Sequence, residues 1–160
     1  MHVVSSQPFR SLTQFRTLIA AVRDEPGAQE LDWVEWKSEV DLHERLWRAR
    51  ASKFILGAAN RPLPRAAQHA SGCAYLLLGV GPGRLPGTTP IDPASLEQGL
   101  RQYLGADGPV WSPQVVPIDG VMVVVITVEP TPPTDVTAST IAMLNDTCGN
   151  LIQLTELARG

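Results

Sequence analysis

Glu30, Glu35 and Lys37 are the residues of this chain whose types and spacing are best suited to chemistry. Carboxylates supply the hard oxygen ligands that magnesium and manganese prefer, and such ions stabilise phosphoryl transfer. Lys37, Arg45, Arg48, Lys53, Arg61 and Arg65 stand close by in the sequence, and lysine and arginine are the side chains that hold a phosphate backbone. The two glutamates meet only under one geometric condition. Side chains alternate along a strand, so residues an odd number of positions apart lie on opposite faces. Glu30 therefore reaches Glu35 only if it precedes the strand, on a turn or helix end that folds back. The plainer alternative is that Glu35 pairs with Lys37 or Arg48 and only shapes the surface.

Other chemistries find less support. There is no Gly-Lys-Ser/Thr phosphate loop, and Gly79, Gly81, Gly83 and Gly87 read as a turn between strands. His2, His43 and His69 have no metal-ligand spacing and no evident serine or cysteine partner. Cys73 and Cys148 make no disulfide framework. No run approaches the roughly 20 apolar residues that span a bilayer, and the N-terminus lacks a basic-then-apolar signal, so a cytoplasmic protein with no membrane partner is expected. Apolar residues make up 44% and charged residues 18%, which excludes wholesale disorder. A net charge of −3 does not favour nucleic acid, but its distribution does. Eight of the sixteen acids lie in 24–44 and six of the thirteen bases in 45–65, so an acidic cluster abuts a basic one. A solvated helix face is the bland account of that pattern.

The element that must position these residues is the stretch Cys73 to Val80, a nearly unbroken apolar run framed by Gly72 and by the Gly/Pro-rich 81–87. A strand covered on both faces reads this way, because neither side can carry a polar row. It is expected to be the centre of a sheet, flanked by 32–37 and 121–128. In 32–37, Val34 and Trp36 should face the core, with Trp33, Glu35 and Lys37 on the other side. Helical spacing predicts an amphipathic packing helix within 8–23 and a helix over 41–59, the latter capped by Asp41 with Glu44 as capping-box partner. Its apolar stripe is Trp47, Ala51, Phe54, Ile55 and Ala58, with Arg45, Arg48 and Lys53 falling away from it. Residues 60–71 read as a loop, and 84–88 as a short strand across the glycine turn. Asp92-Pro93 opens a helix that Gly105 ends. Asp119-Gly120 joins 113–118 to 121–128 as a hairpin. A helix near 138–144 and a strand near 150–155 complete the expectation.

The order of these segments carries a resemblance. Trp33-Val34-Glu35-Trp36-Lys37, the helix end Ile55-Leu56-Gly57-Ala58-Ala59-Asn60, Gly72 through Val80, and Pro86-Gly87 together resemble the Schlafen-type AlbA domain, over about residues 29–130. That family has a Val/Leu-Glu-Phe-Lys strand, an Ala-Phe-Ala-Asn helix end, a Gly-Gly to Ile-Gly-Val strand and a Val-Gly turn. The resemblance implies a single α+β domain with a mixed sheet, its central strand 73–80 flanked by helices. It would be preceded by an N-terminal helix and linker over 1–28. A C-terminal extension over 131–160 would pack on the domain or remain partly flexible. It also implies binding of nucleic acid, RNA of transfer-RNA type or DNA, with Lys37, Arg45, Arg48, Lys53, Arg61 and Arg65 as the phosphate contacts. Schlafen members include endoribonucleases that use three acids and a divalent metal. Glu35 matches the glutamate of the strand motif and Glu30 the first acid, so both would be catalytic and would ligate magnesium or manganese. The third acid would follow Val80, where Gly81 and Pro82 stand, and neither can ligate through its side chain. Full Schlafen cores set two such lobes side by side, so a lone copy is expected to form a homodimer. Three readings stay open: a nucleic-acid-binding module, a metal-dependent endoribonuclease, and a regulatory or interaction domain with neither activity.

Overall fold

The central stretch does lie at the middle of a sheet. In the computed structural model, which describes residues 6–105, 108–130, 139–145 and 151–157, strand β2 (Ala74–Leu78) is buried at every position. Strand β1 (Val34–Lys37) runs parallel to it on one side. On the other side β4 (Val121–Val128) runs antiparallel, followed by β3 (Trp111–Ile118), also antiparallel to β4. The four-stranded order is β1-β2-β4-β3, a mixed sheet in an α+β domain.

Both faces of β2 are covered, by different helices. Helix α1 (Leu12–Arg23) buries Phe15, Leu18, Ile19 and Val22 against Tyr75, Leu77, Val116, Val123 and Val125. Its start is fixed by a reciprocal capping box: Gln14 N–H donates to Ser11 Oγ at 3.2 Å and Ser11 N–H to Gln14 Oε1 at 2.9 Å. The opposite face carries Ala74, Leu76 and Leu78, which pack with Val124, Ile126 and Val128 under helices α2 (Arg45–Ala59) and α4 (Pro93–Leu104). Helix α4 begins and ends as expected, with the Asp92 carboxylate accepting from Ser95 N–H at 2.8 Å, Pro93 in the first turn, and Gly105 at φ 76°. Accepting those bonds holds the Asp92 carboxyl below its ordinary range. The segment before α1 is tied to the central strand, since Phe9 N–H donates to Tyr75 Oη at 2.8 Å.

Two turns use positive φ. The hairpin between β3 and β4 turns at Asp119 (φ 48°) and Gly120 (φ 82°), the signs a two-residue primed turn requires. At the end of β2, Gly79 (φ 97°) is crossed by Gly87, whose N–H donates to Gly79 O at 2.9 Å. A Cβ on Gly79 would lie 2.6 Å from the carbonyl carbon of Gly87, so this crossing exists only because neither residue has a side chain.

Several local expectations are corrected. Helix α2 starts at Arg45, not near Asp41: the Asp41 carboxylate accepts from His43 N–H at 2.9 Å, and 41–44 form a turn that Glu44 leaves without a side-chain cap. Trp33 does not share a face with Glu35. It precedes β1, escapes the alternation, and is 2% exposed, stacked between Phe9 (6.2 Å) and His69 (5.6 Å). The 60–71 connection holds a four-residue helix, α3 (Leu63–Ala66), with Pro64 inside its first turn, where a missing N–H costs nothing. Residues 84–88 make a bridge from Gly81 to Arg84 and a bond from Thr88 N–H to Met122 O, but no strand. The helix expected near 138–144 is strand β5 (Ser139–Asn145), paired antiparallel with β6 (Leu151–Leu157). Cys148 lies outside the described residues.

Candidate functional site

The face of β1 that carries Glu35 and Lys37 is the same face on which Leu76 and Leu78 meet α2, because Glu35 pairs in register with Leu76 and Lys37 with Leu78. Helix α2 covers β2 but stops short of the edge strand. The gap leaves a groove of about 500 Å³ between β1 and one stripe of α2. Arg50, Lys53, Phe54, Gly57 and Ala58 form the helix wall, at the three- and four-residue spacing of a single helical face. Leu31, Asp32, Glu35 and Lys37 form the strand wall, and Arg61 closes one end. At the other end the groove continues toward Trp47 and Leu42.

The geometric condition on Glu30 is met. Leu31 and Val34 exchange backbone hydrogen bonds at 3.0 and 3.3 Å, which folds residue 30 back along the outer side of β1. Glu30 Oε1 then lies 3.0 Å from Lys37 Nζ, and Glu35 Oε1 lies 3.1 Å from the same nitrogen. Burial works against the Lys37 ammonium, but hydrogen bonds to both glutamates more than offset it and hold its pKa above the ordinary lysine value. All three side chains keep a third or more of their surface in solvent (39%, 45% and 34%), so each pair contributes only about 0.2–1 kcal/mol. The arrangement holds position more than it adds stability.

This donor set does not fit a divalent ion. The ammonium already stands where the two carboxylates point, and a cation there would meet a like charge about 3 Å away. Among the described residues no group of three or more His, Cys, Asp or Glu side chains is placed to hold a metal. No catalytic step through magnesium or manganese follows from this geometry.

The basic residues separate into three groups. Arg50 and Lys53 point into the groove, and neither has a carboxylate partner among the described residues. Arg50 is held with its guanidinium carbon 4.8 Å from the Trp47 ring centre, a cation–π contact. Arg45 is exposed on the first turn of α2 but lines no part of the groove. Arg48 and Arg61 are spent on the fold. Arg48 Nε donates to Leu42 O at 2.9 Å, and its chain lies over Gly99 of α4, where a Cβ would come within 3.1 Å of Arg48 Cδ. Arg61 donates to Ala58 O (3.0 Å), Asp32 O (3.0 Å) and Gly72 O (2.7 Å), tying the end of α2 to the starts of β1 and β2. Neither is carried into the phosphate-facing set. The Arg65 side chain lies outside the described residues.

An Arg61→Ala variant is expected to lose about 2–3 kcal/mol in urea unfolding, because carbonyls at three chain segments lose their donor together. Arg61→Lys should recover little of it, since one ammonium cannot reproduce the planar fork. Unchanged stability in Arg61→Ala would return this residue to the surface set.

Arg50, Phe54 and Gly57 line the candidate groove and were not among the candidate residues read from sequence. The signal was present, since 50, 53, 54 and 57 share one helical face. Comparison with protein-family models, curated proteins and solved structures finds no match to this chain. No helix of the described residues is long and apolar enough to cross a membrane.

Proposed function

We propose that this chain is a nucleic-acid-binding domain of the Schlafen AlbA type, holding an RNA or DNA backbone along the groove between α2 and β1. The observation that supports it most is the pair Arg50 and Lys53, two cations that have no carboxylate partner among the described residues, on the groove wall of a protein whose net charge is −3. A cation pair beside an aromatic side chain suits a phosphodiester chain better than an acidic protein surface, because it offers charge and an apolar contact in one cleft. Arg45 extends the cationic surface toward the start of the same helix. Glu35 and Lys37 stand on the opposite wall, and Glu30 and Glu35 together keep that lysine charged.

Filter binding of RNA and DNA at graded salt tests this reading. Each phosphate contact should contribute about 0.7–0.9 to the slope of log affinity against log salt. Absence of retention at low salt, or a flat salt response, would overturn it.

Glu35→Gln should leave binding intact or strengthen it by about two- to fivefold, as a repulsive charge is removed and half of Lys37 is released. Cleavage of transfer RNA by the wild type with manganese, lost in Glu35→Gln, would replace the binding-only reading with the nuclease one.

A further inference from the structure

Gly57 sits in the last turn of α2, two residues before the helix ends, at a position where alanine is the better helix former. The fold gives no reason for it. Among the described residues a Cβ at this position would meet nothing within 4 Å, and no positive φ requires glycine there. By contrast, Gly99 of α4 makes room for the Arg48 side chain and Gly79 makes room for Gly87. Gly57 lines the groove, together with Phe54, Arg50 and Lys53 of the same helix and Leu31 of the strand wall. Phe54 and Leu31 give this part of the groove apolar side chains, and Arg50 and Lys53, which have no carboxylate partner among the described residues, stand within two turns on the same face of α2.

We infer that this patch is a seat for one unpaired nucleobase, with the base lying over Gly57 against Phe54 and its phosphate between Arg50 and Lys53. The inference rests on the nucleic-acid reading above and adds a substrate class to it: single-stranded segments, or unpaired positions within a folded RNA, in preference to continuous duplex. A paired base has both faces stacked and its edge engaged, so it cannot enter a cleft of this kind without leaving the helix. An unpaired base has a free face for Phe54, and stacking of this type tolerates any base. The occupant is therefore specified by its flatness and its charge, not by its sequence.

The test is fluorescence anisotropy with two probes of equal length, a fluorescein-labelled single-stranded oligonucleotide of mixed sequence and the corresponding duplex, on the full chain. Wild type should bind the single strand more tightly. Gly57→Ala should raise the unfolding temperature by about 1–4 °C, since it removes backbone freedom from the unfolded chain at an uncrowded helical site. It should at the same time weaken single-strand binding at least about fivefold, because the new methyl stands in the plane the base would occupy. Its loss of duplex affinity should be clearly smaller than its loss of single-strand affinity. Phe54→Leu, which keeps the apolar volume, should weaken single-strand binding by about fivefold or more and leave the salt slope intact. If wild type binds both probes with a steep salt slope but Gly57→Ala binds the single strand as well as wild type, the base seat is wrong and the nucleic-acid reading stands. If wild type binds neither probe at low salt, both fall.

Discussion

Gly79→Ala is expected to destabilise the domain by about 2–5 kcal/mol, a large share of the 5–15 kcal/mol typical of a folded domain. Two costs add. An alanine at φ 97° carries about 1–2 kcal/mol of backbone strain. Its methyl would also sit 2.6 Å from the carbonyl carbon of Gly87 and 2.9 Å from that residue's Cα, and backbone atoms cannot rotate aside as a side-chain tip can. Relief requires the 84–88 segment to lift, which breaks the Gly87 N–H to Gly79 O bond and crowds Gly87 against Val121. Overpacking of this kind costs about 1–3 kcal/mol. Gly120→Ala is the control. It has the same sign of φ, at 82°, and nothing within 4 Å of the added methyl, so only the strain remains and about 1–2 kcal/mol should be lost. Equal losses at the two positions in urea unfolding would mean that the crossing of 79 and 87 has room that the geometry denies.

The largest effect on binding is expected from Arg50→Glu combined with Lys53→Glu. The pair changes the local charge by four units on the wall of one groove, without touching a buried contact. Affinity for RNA or DNA at about 0.1 M salt should fall on the order of a hundredfold, and the log–log salt slope should flatten by roughly 1.4–1.8, two phosphate contacts' worth. Arg45→Glu makes the comparison decisive. It reverses a charge on the same helix outside the groove lining, so general attraction to the protein should weaken only a few-fold. Similar losses in both variants would point to diffuse attraction by α2 rather than to the groove. Folding is a separate readout, and thermal melts of both variants should stay near wild type because all three side chains are solvent-facing.

The parts of the fold that could be read from sequence are those in which local and long-range signals agree. The apolar run at 74–78 has no polar face, so it had to be covered twice. Asp92-Pro93 and Gly105 bracket a helix whose expected stripe is Leu96, Leu100, Tyr103 and Leu104; the three leucines reach the core and Tyr103 stays partly exposed. Asp119-Gly120 admits few alternatives to a hairpin. Misreadings occur where a short-range pattern meets a tertiary competitor. Asp41 and Glu44 have capping-box spacing, but the Asp41 carboxylate is taken by His43 N–H and the helix starts later. Ile141-Ala-Met-Leu144 suits either a helix or a strand, and pairing with 151–157 decides it. The site was half legible. Glu30, Glu35 and Lys37 converge because the turn at 31–34 permits it, which the spacing alone posed as a condition. Counting basic residues could not separate Arg61, whose fork is spent on three distant carbonyls, from Lys53, which faces solvent. Charge is visible in a sequence, but the use of a donor is not.

The outer margins of the sheet have a further consequence. On β1 the turn at 30–31 occupies the backbone of Val34, and the Glu30 carboxylate accepts from Trp36 N–H at 3.4 Å. On β3 the margin carries Pro113 and Pro117, which have no N–H to offer. Neither border presents a continuous row of free donors and acceptors to another chain. The four-stranded sheet is thus guarded against growing by strand addition, the route by which exposed β edges recruit copies of themselves into aggregates. Strand-to-strand pairing of two copies through the four-stranded sheet is therefore disfavoured as long as Glu30 and the two prolines are in place.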